Sequence, residues 1–512
     1  MSGCSYTGGT VESTARYVGG MLGSTGNYNS VISDCSVTDA TVIASVSNND
    51  FRAGGFIGQQ QTKVTVKGCT VGASDKRVNI TLAAPTSGKV YNAGGFVGVS
   101  YGTITKNGDV RNKVFVTITA ANAETTKQMN LGGFTAYHSG TIEYSDADVV
   151  MTNLKGTHIG GFCGIAVTSN AVIRNCTETG SVSGNNYAGG FVGVVEGGSI
   201  SNCSSSGTLS AASSIGGFAG GSASASFSPT YTGNSSSVSV TSSGSNAGGF
   251  IGSGVGTFTS NYATGNVAST GGGNIGGLVG QIWETGTASF SKNYATGNVS
   301  GNANCGGLIG YIGGNVTMSN CYATGNVGNS TKYNQKYGGL VGFTADGAAK
   351  SSGITITNCY ASGNVEPSFA GGGLIGRIGL ASCSVSNCAA WNATIAPHSV
   401  SETNWSSGSI VGVAFPTCTL TNNYRNPSMN LAAYWVPAAD YNQANVSSTH
   451  PLTDSTGAEM TDTSCASGQA HYPIYPYHGQ VDAGKTLSQL ASTTLGWSAD
   501  VWDFSGSLPT LK

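Results

Sequence analysis

Gly276-Gly277-Leu278-Val279-Gly280, followed by Asn293-Tyr294-Ala295-Thr296-Gly297-Asn298-Val299, is a phrase that the chain repeats. It returns as Gly306-Gly307-Leu308 with Asn320-Cys321-Tyr322-Ala323-Thr324-Gly325-Asn326-Val327. It returns again as Gly338-Gly339-Leu340 with Asn358-Cys359-Tyr360-Ala361-Ser362-Gly363-Asn364-Val365. Upstream, glycine pairs trailed by an apolar residue stand at Gly19-Gly20, Gly54-Gly55, Gly94-Gly95, Gly132-Gly133, Gly160-Gly161, Gly189-Gly190, Gly216-Gly217 and Gly248-Gly249. Downstream come Gly372-Gly373 and a degenerate Gly408-Ser409-Ile410-Val411-Gly412. A spacing of 27 to 40 residues marks an architecture in which each repeat packs only on its neighbours.

Two apolar columns support this reading. The residue after each glycine pair runs Met21, Phe56, Phe96, Phe134, Phe162, Phe191, Phe218, Phe250, Leu278, Leu308, Leu340, Leu374 and Ile410. Roughly ten residues later stand Ile32, Val66, Ile104, Ile142, Ile173, Ile200, Phe227, Phe258, Phe290, Met318, Ile356, Val385 and Leu420. Short alternating runs between Gly, Asn and Ser clusters read as strands, about three per repeat. The expected fold is all-β, a parallel β-solenoid of about 13 coils, and at ~4.8 Å per coil it is a rod on the order of 60 Å. The glycine pairs are expected to turn a corner or admit close backbone approach. Asn175, Asn202, Asn320, Asn358 and Asn387 suit a corner ladder, because Asn tolerates left-handed backbone angles.

Composition agrees. Glycine is 80 of 512 residues and charged residues only 9%, which disfavours long helices. No Gly-X-Y period is present, and 39% hydrophobic content supplies a core. A net charge of −2 without a basic stripe argues against nucleic acid. No apolar stretch approaches the ~18 residues of a membrane span.

The repeats from 248 to 376 resemble the GLUG repeat, and the likeness extends more weakly over about 1–424, where Phe replaces Leu and Tyr-Ala-Thr-Gly is lost. GLUG repeats occur in large secreted or surface-attached bacterial proteins, adhesins among them, and flank some immunoglobulin A-cleaving metallopeptidases. The resemblance implies an extracellular or bacterial cell-surface location without implying one activity.

Residues 1–424 are thus expected to form the solenoid and 425–512 an irregular C-terminal cap over the last coil, with one short helix at Lys485–Ala491. Gly3-Cys4-Ser5-Tyr6-Thr7-Gly8 lies in repeat register, so the chain starts in mid-coil. That open edge calls for an upstream domain or a neighbouring chain to cover it.

Candidate chemistry is sparse. Cys4, Cys35, Cys69, Cys176, Cys203, Cys321, Cys359 and Cys388 share one register, with Asn261 and Asn293 substituting, as a small thiol in a core column would. No zinc spacing, HExxH or nucleophile elbow is present. Asp109, Asp146, Asp148 and Glu178 fall on consecutive coils, with Glu143 beside Arg174. Solenoid glycosidases and lyases use such carboxylates, calcium needs several oxygens, and a solvated face with a salt bridge needs neither. Tyr262, Tyr294, Tyr322, Tyr360 and Tyr424 stack in another column. Facing outward they would serve a sugar or a protein partner, and facing inward they are core. A threonine column through Thr7, Thr38, Thr179, Thr264, Thr296 and Thr324 lacks a paired threonine two residues away, so it makes a poor ice-binding plane.

The reading is therefore a non-catalytic surface protein, adhesin or scaffold, that presents a binding surface to host glycan or protein and needs no cofactor. Two others stand beside it. One is a carbohydrate-active β-helix enzyme working through the acidic cluster, and the other a recognition or spacer segment of a larger surface protease.

Overall fold

The computed structural model describes the chain apart from residues 46–49, 84–89, 121–127, 153, 223, 225, 227, 329–335, 346–352, 368–369, 380–381, 396–405, 414–417 and 432–478. The described residues form about a dozen parallel β-solenoid turns in two compact units. One comprises Met1–Ser243 with Gly249–Gly256, the other Gly244–Gly248 with Thr257–Lys512.

In the first unit a representative coil runs Tyr91–Gly94, Val97–Ser100, Thr103–Thr105 and Asn112–Ala120. Each strand pairs in register and in parallel with its counterpart one turn on: Met129–Gly132, Thr135–His138, Thr141–Glu143 and Ser145–Met151. In the second unit a coil runs Asn304–Gly306, Ile309–Ile312, Asn315–Ser319, Tyr322–Ala323 and Val327–Gly328. Coils thus carry four or five strands where the sequence suggested three. The fourth strand arises at the glycine pair, which separates two strands instead of interrupting one, and the fifth from the break between Tyr322–Ala323 and Val327–Gly328.

These glycines are required by space. A Cβ on Gly133 would run into the Gly161 carbonyl oxygen one coil on and into a methyl of Val149. On Gly307 it would meet the Gly339 carbonyl oxygen and the Ala323 methyl. Backbone on backbone, without side chains, is how successive turns close.

The first apolar column then stacks ring on ring. In the first unit Phe96–Phe134, Phe134–Phe162, Phe162–Phe191 and Phe191–Phe218 have centroids 4.6 to 4.8 Å apart. In the second unit Leu278, Leu308, Leu340, Leu374 and Ile410 are buried in the equivalent column. The second column holds as well, with one correction. The in-register neighbour of Ile200 is Tyr231, fully buried, and Phe227 lies outside the described residues. Insertion length before that strand misled the spacing count.

Two residues after this column the backbone turns through the left-handed region. Asp34, Gly68, Tyr144, Asn175, Asn202 and Gly233 do so in the first unit. Ser260, Lys292, Asn320, Asn358, Asn387 and Asn422 do so in the second, and all twelve φ values lie between 51° and 64°. The next residue is the cysteine column, and its role goes beyond filling space. The Cys321 backbone N–H donates to Cys359 Sγ at 3.4 Å, and the Cys359 N–H donates to Cys388 Sγ at 3.4 Å. The Cys388 N–H donates to Asn423 Oδ1 at 3.0 Å, and the Asn261 N–H to Asn293 Oδ1 at 2.9 Å. In the first unit Asn112 and Asn234 accept from Cys69 and Cys203 in the same way. The thiols donate in turn, as Cys359 Sγ does to the Thr357 carbonyl at 3.1 Å. The sharp corner leaves a buried N–H without a carbonyl, and a side-chain acceptor from the next coil replaces it. All twelve described cysteines are free thiols.

Beyond the undescribed stretch, Gln480–Val481 pairs in parallel with Tyr424–Arg425. Thr486 then caps the helix Leu487–Thr493 through a reciprocal capping box with Gln489. The helix and Trp497, Trp502 and Leu495 pack over tyrosines of successive coils in the second unit. The closing segment covers the side of several coils and, through Gln480–Val481, also pairs with the strand Tyr424–Arg425.

Two substitutions probe these columns. Phe134→Ala should destabilise the chain by about 3–5 kcal/mol in chemical denaturation, since rings above and below hold the cavity open. Cys359→Val should cost about 1–3 kcal/mol by stranding the Cys321 N–H, whereas Cys359→Ser should cost clearly less.

Candidate functional site

Three groups of residues offer chemistry. The first is acidic and lies in the first unit, on the strands Asn112–Ala120, Ser145–Met151 and Thr177–Ser183. Register places Lys113 beside Asp146 and Thr177, Phe115 beside Asp148 and Thr179, and Ala147 beside Glu178. Side chains alternate across a strand, so Asp146 and Asp148 share the outward face while Glu178 points into the core. Lys113, Phe115, Asp146, Asp148, Thr177 and Thr179 line an open depression of about 240 Å³.

The acids do not act as a set. Asp146 takes both arms of Arg111, at 2.8 and 2.6 Å, and accepts from Thr177 Oγ1 at 2.7 Å. Asp148 is paired with Arg77. Asp109 is exposed in the turn between Asn107 and Val110, 4.0 Å from Lys106. The expected pair of Glu143 and Arg174 is formed at 2.6 Å. Glu178 is 1% exposed, and neither carboxyl oxygen has a hydrogen-bond partner. Burial pushes its pKa well above the ordinary carboxylate value, the Asp148 charge adds to this, and the Ser206 backbone pulls weakly the other way. It fits because Gly161 opposite has no side chain to oppose it.

Two histidines are held neutral nearby. His138 is fully buried, its Nε2 donating to the Val172 carbonyl at 3.3 Å, and desolvation lowers its pKa to about 4. His158 Nδ1 donates to Asn130 Oδ1 at 2.8 Å, and desolvation lowers it to about 4 as well. No group of three or more His, Cys, Asp or Glu side chains placed to hold a metal occurs among the described residues.

The second group is the tyrosine column, in the second unit. On the two-residue strands Tyr262–Ala263, Tyr294–Ala295, Tyr322–Ala323 and Tyr360–Ala361 the alanines face the core, so the rings face outward. Their planes are 2° to 6° apart and their centroids 4.8 to 5.0 Å apart, so Tyr294 and Tyr322 spend both faces on neighbouring rings and Tyr262 spends one. Only edges and hydroxyls project. Over Tyr322, Tyr360 and Tyr424 these are covered by the closing segment, which leaves Tyr262 and Tyr294 half-buried. The cover is tied down by three hydrogen bonds: Tyr360 hydroxyl to the Pro509 carbonyl at 2.8 Å, Trp497 Nε1 to the Asn387 carbonyl at 2.9 Å, and Trp502 Nε1 to Asn320 Oδ1 at 3.2 Å.

The third group was not picked out by the sequence reading. Asn266, Asn298, Asn326 and Asn364 form an outward row in the second unit, each amide oxygen accepting the backbone N–H one coil on at 2.9 to 3.1 Å. The amide nitrogens are left as a ladder of donors beside an open depression of about 380 Å³, bounded by Ser300 and Glu366. The recurrent Asn of Thr-Gly-Asn-Val was the signal for it.

Residues 184–210 match a family model, the GLUG motif. The match takes in Asn186–Gly189, Val192–Val195, Ser199–Ser201 and most of Ser204–Ala211, which is one turn of the first unit. It falls upstream of 248–376, where the repeated phrase is most regular. Neither a curated protein nor a solved structure matches the chain.

The buried ionisable groups make stability depend on pH in opposite directions. His138 and His158 bind protons less readily folded than unfolded, so their contribution is complete above pH 6.5 and is lost as pH falls towards 4. Glu178 prefers its proton when folded, so its contribution is complete below about pH 4 and is lost as pH rises. Glu178→Gln should therefore raise stability at pH 8 by on the order of 1–3 kcal/mol. At pH 4 it should change little, as followed by thermal melts at both values.

Proposed function

Starting from a parallel β-solenoid that carries the GLUG motif, we propose that this chain is a non-catalytic repeat scaffold, extracellular or on a cell surface. In this reading it presents outward polar rows to glycan or protein. The observation that carries it is the Asn266–Asn298–Asn326–Asn364 row, which offers the same donor at each turn beside an open depression. A repeated donor suits a repeated ligand, because weak contacts at successive turns add through one rigid body.

The placement of the acids supports binding over catalysis. A glycosidase needs one carboxyl group kept protonated near neutral pH within reach of a second that is ionised. Here Asp146 and Asp148 are each engaged in an ion pair with a guanidinium group, and Glu178 lies on the other side of the sheet in the core. The tyrosine column contributes less than its sequence suggested, since rings stacked on both sides, as Tyr294 and Tyr322 are, offer no face to a sugar.

The test is to screen the full chain against glycan and matrix-protein arrays while assaying soluble polysaccharides for cleavage. Retention without turnover is expected, with Asn298→Ala plus Asn326→Ala weakening it at least tenfold. Turnover that disappears in Asp146→Asn would establish the enzyme instead. Retention on no array would end the binding proposal.

A further inference from the structure

Apart from the rows already described, the second unit has a face that none of the preceding chemistry uses. It is formed by the strands Thr287–Ser291, Asn315–Ser319, Gly353–Thr357, Ser382–Ser386 and Cys418–Thr421. On every one of these strands the core residue of the second apolar column is flanked on both sides by Ser or Thr. Ser289, Thr317, Thr355, Ser384 and Thr419 stand in register as one column. The second column, two residues on, runs from Ser291 through Thr357 to Thr421 in the same register. All are exposed or half-buried, and neither column contains a charged or aromatic side chain.

Two further properties make this a lattice as well as a polar face. Neighbouring coils repeat at 4.7 Å for the Phe258–Phe290 rings and 4.8 Å for Tyr262–Tyr294. Along each strand the two columns are about 6.6 Å apart. The corresponding face of the first unit lacks this regularity. Lys67, Glu143 and Arg174 interrupt it, and Thr105 Oγ1 is spent on Glu143 at 2.8 Å.

We infer that this hydroxyl face of the second unit binds an ordered water lattice, that is, a surface of ice. The hydroxyls of such a two-dimensional array can each hold one water at a fixed repeat, and the threonine methyls between them restrict where further waters settle. A soluble glycan or a protein would be expected to need a concave site or an aromatic or charged anchor, and this face has none. Ice differs in offering oxygens at fixed repeats in two directions and no charge. The inference goes beyond the scaffold reading and stands on a different row of residues, so either can fail alone.

The experiment uses the full chain and single ice crystals, with growth arrest and crystal shape as readouts and recrystallisation inhibition as a second assay. The parent chain should shape crystals and halt their growth within a measurable temperature gap. Thr317→Lys with Thr355→Lys should reduce that gap at least tenfold while circular dichroism stays unchanged. Thr355→Val should lose less, because it keeps the shape and the methyl. Thr296→Lys, exposed beside the tyrosine column, should leave the gap intact. No effect of the parent chain on ice would overturn the inference. So would equal activity in the double variant, or retention on insoluble cellulose through this face with none on ice.

Discussion

The structure depends on contact between backbones at the glycine pairs. Because the Gly161 carbonyl oxygen occupies the place where a Gly133 side chain would begin, successive turns meet there without side chains between them. That contact fixes the turn-to-turn distance and leaves no room for slippage, since a shifted register would bring a Cβ into the same space. Every column follows from it. Phenylalanines meet face to face, left-handed corners fall one above another, and outward residues line up in rows.

The corner shows how a polar requirement is met inside such a stack. Each left-handed residue turns the chain so sharply that the following N–H misses the carbonyl ladder. Its partner becomes the Sγ or Oδ1 of the next turn, which explains why cysteine and asparagine alternate at this position while leucine and valine are absent. Hydrophobicity alone would have chosen otherwise. An acceptor is needed, and small polar side chains of similar reach supply it.

Much of this was legible in the residues. The glycine pairs, both apolar columns and the asparagine corners were readable because stacking demands equivalent residues at equivalent places. What escaped was whatever depends on which side of the sheet a residue takes. Glu178 reads as a neighbour of Asp146 and Asp148 by number, yet alternation turns it inward and separates it from them. The tyrosines read equally well as platform or core, and the structure makes them an outward row in which Tyr294 and Tyr322 have both faces engaged. Tyr231 was missed because an insertion shifted its strand. The Ser and Thr flanking the second column escaped because their outward placement follows only from the strand phase, whereas Thr296 and Thr324 stand out by the repeated Tyr-Ala-Thr-Gly phrase.

The closing segment limits how this gene can vary. Trp502, Pro509 and Trp497 reach Asn320, Tyr360 and Asn387, which belong to three consecutive turns. A duplication or deletion of a repeat within that interval would leave the segment mismatched to its anchors. Elsewhere a whole repeat could be gained or lost with only local consequences. Copy number should therefore drift among descendants of this gene outside the clasped turns and stay constant beneath them.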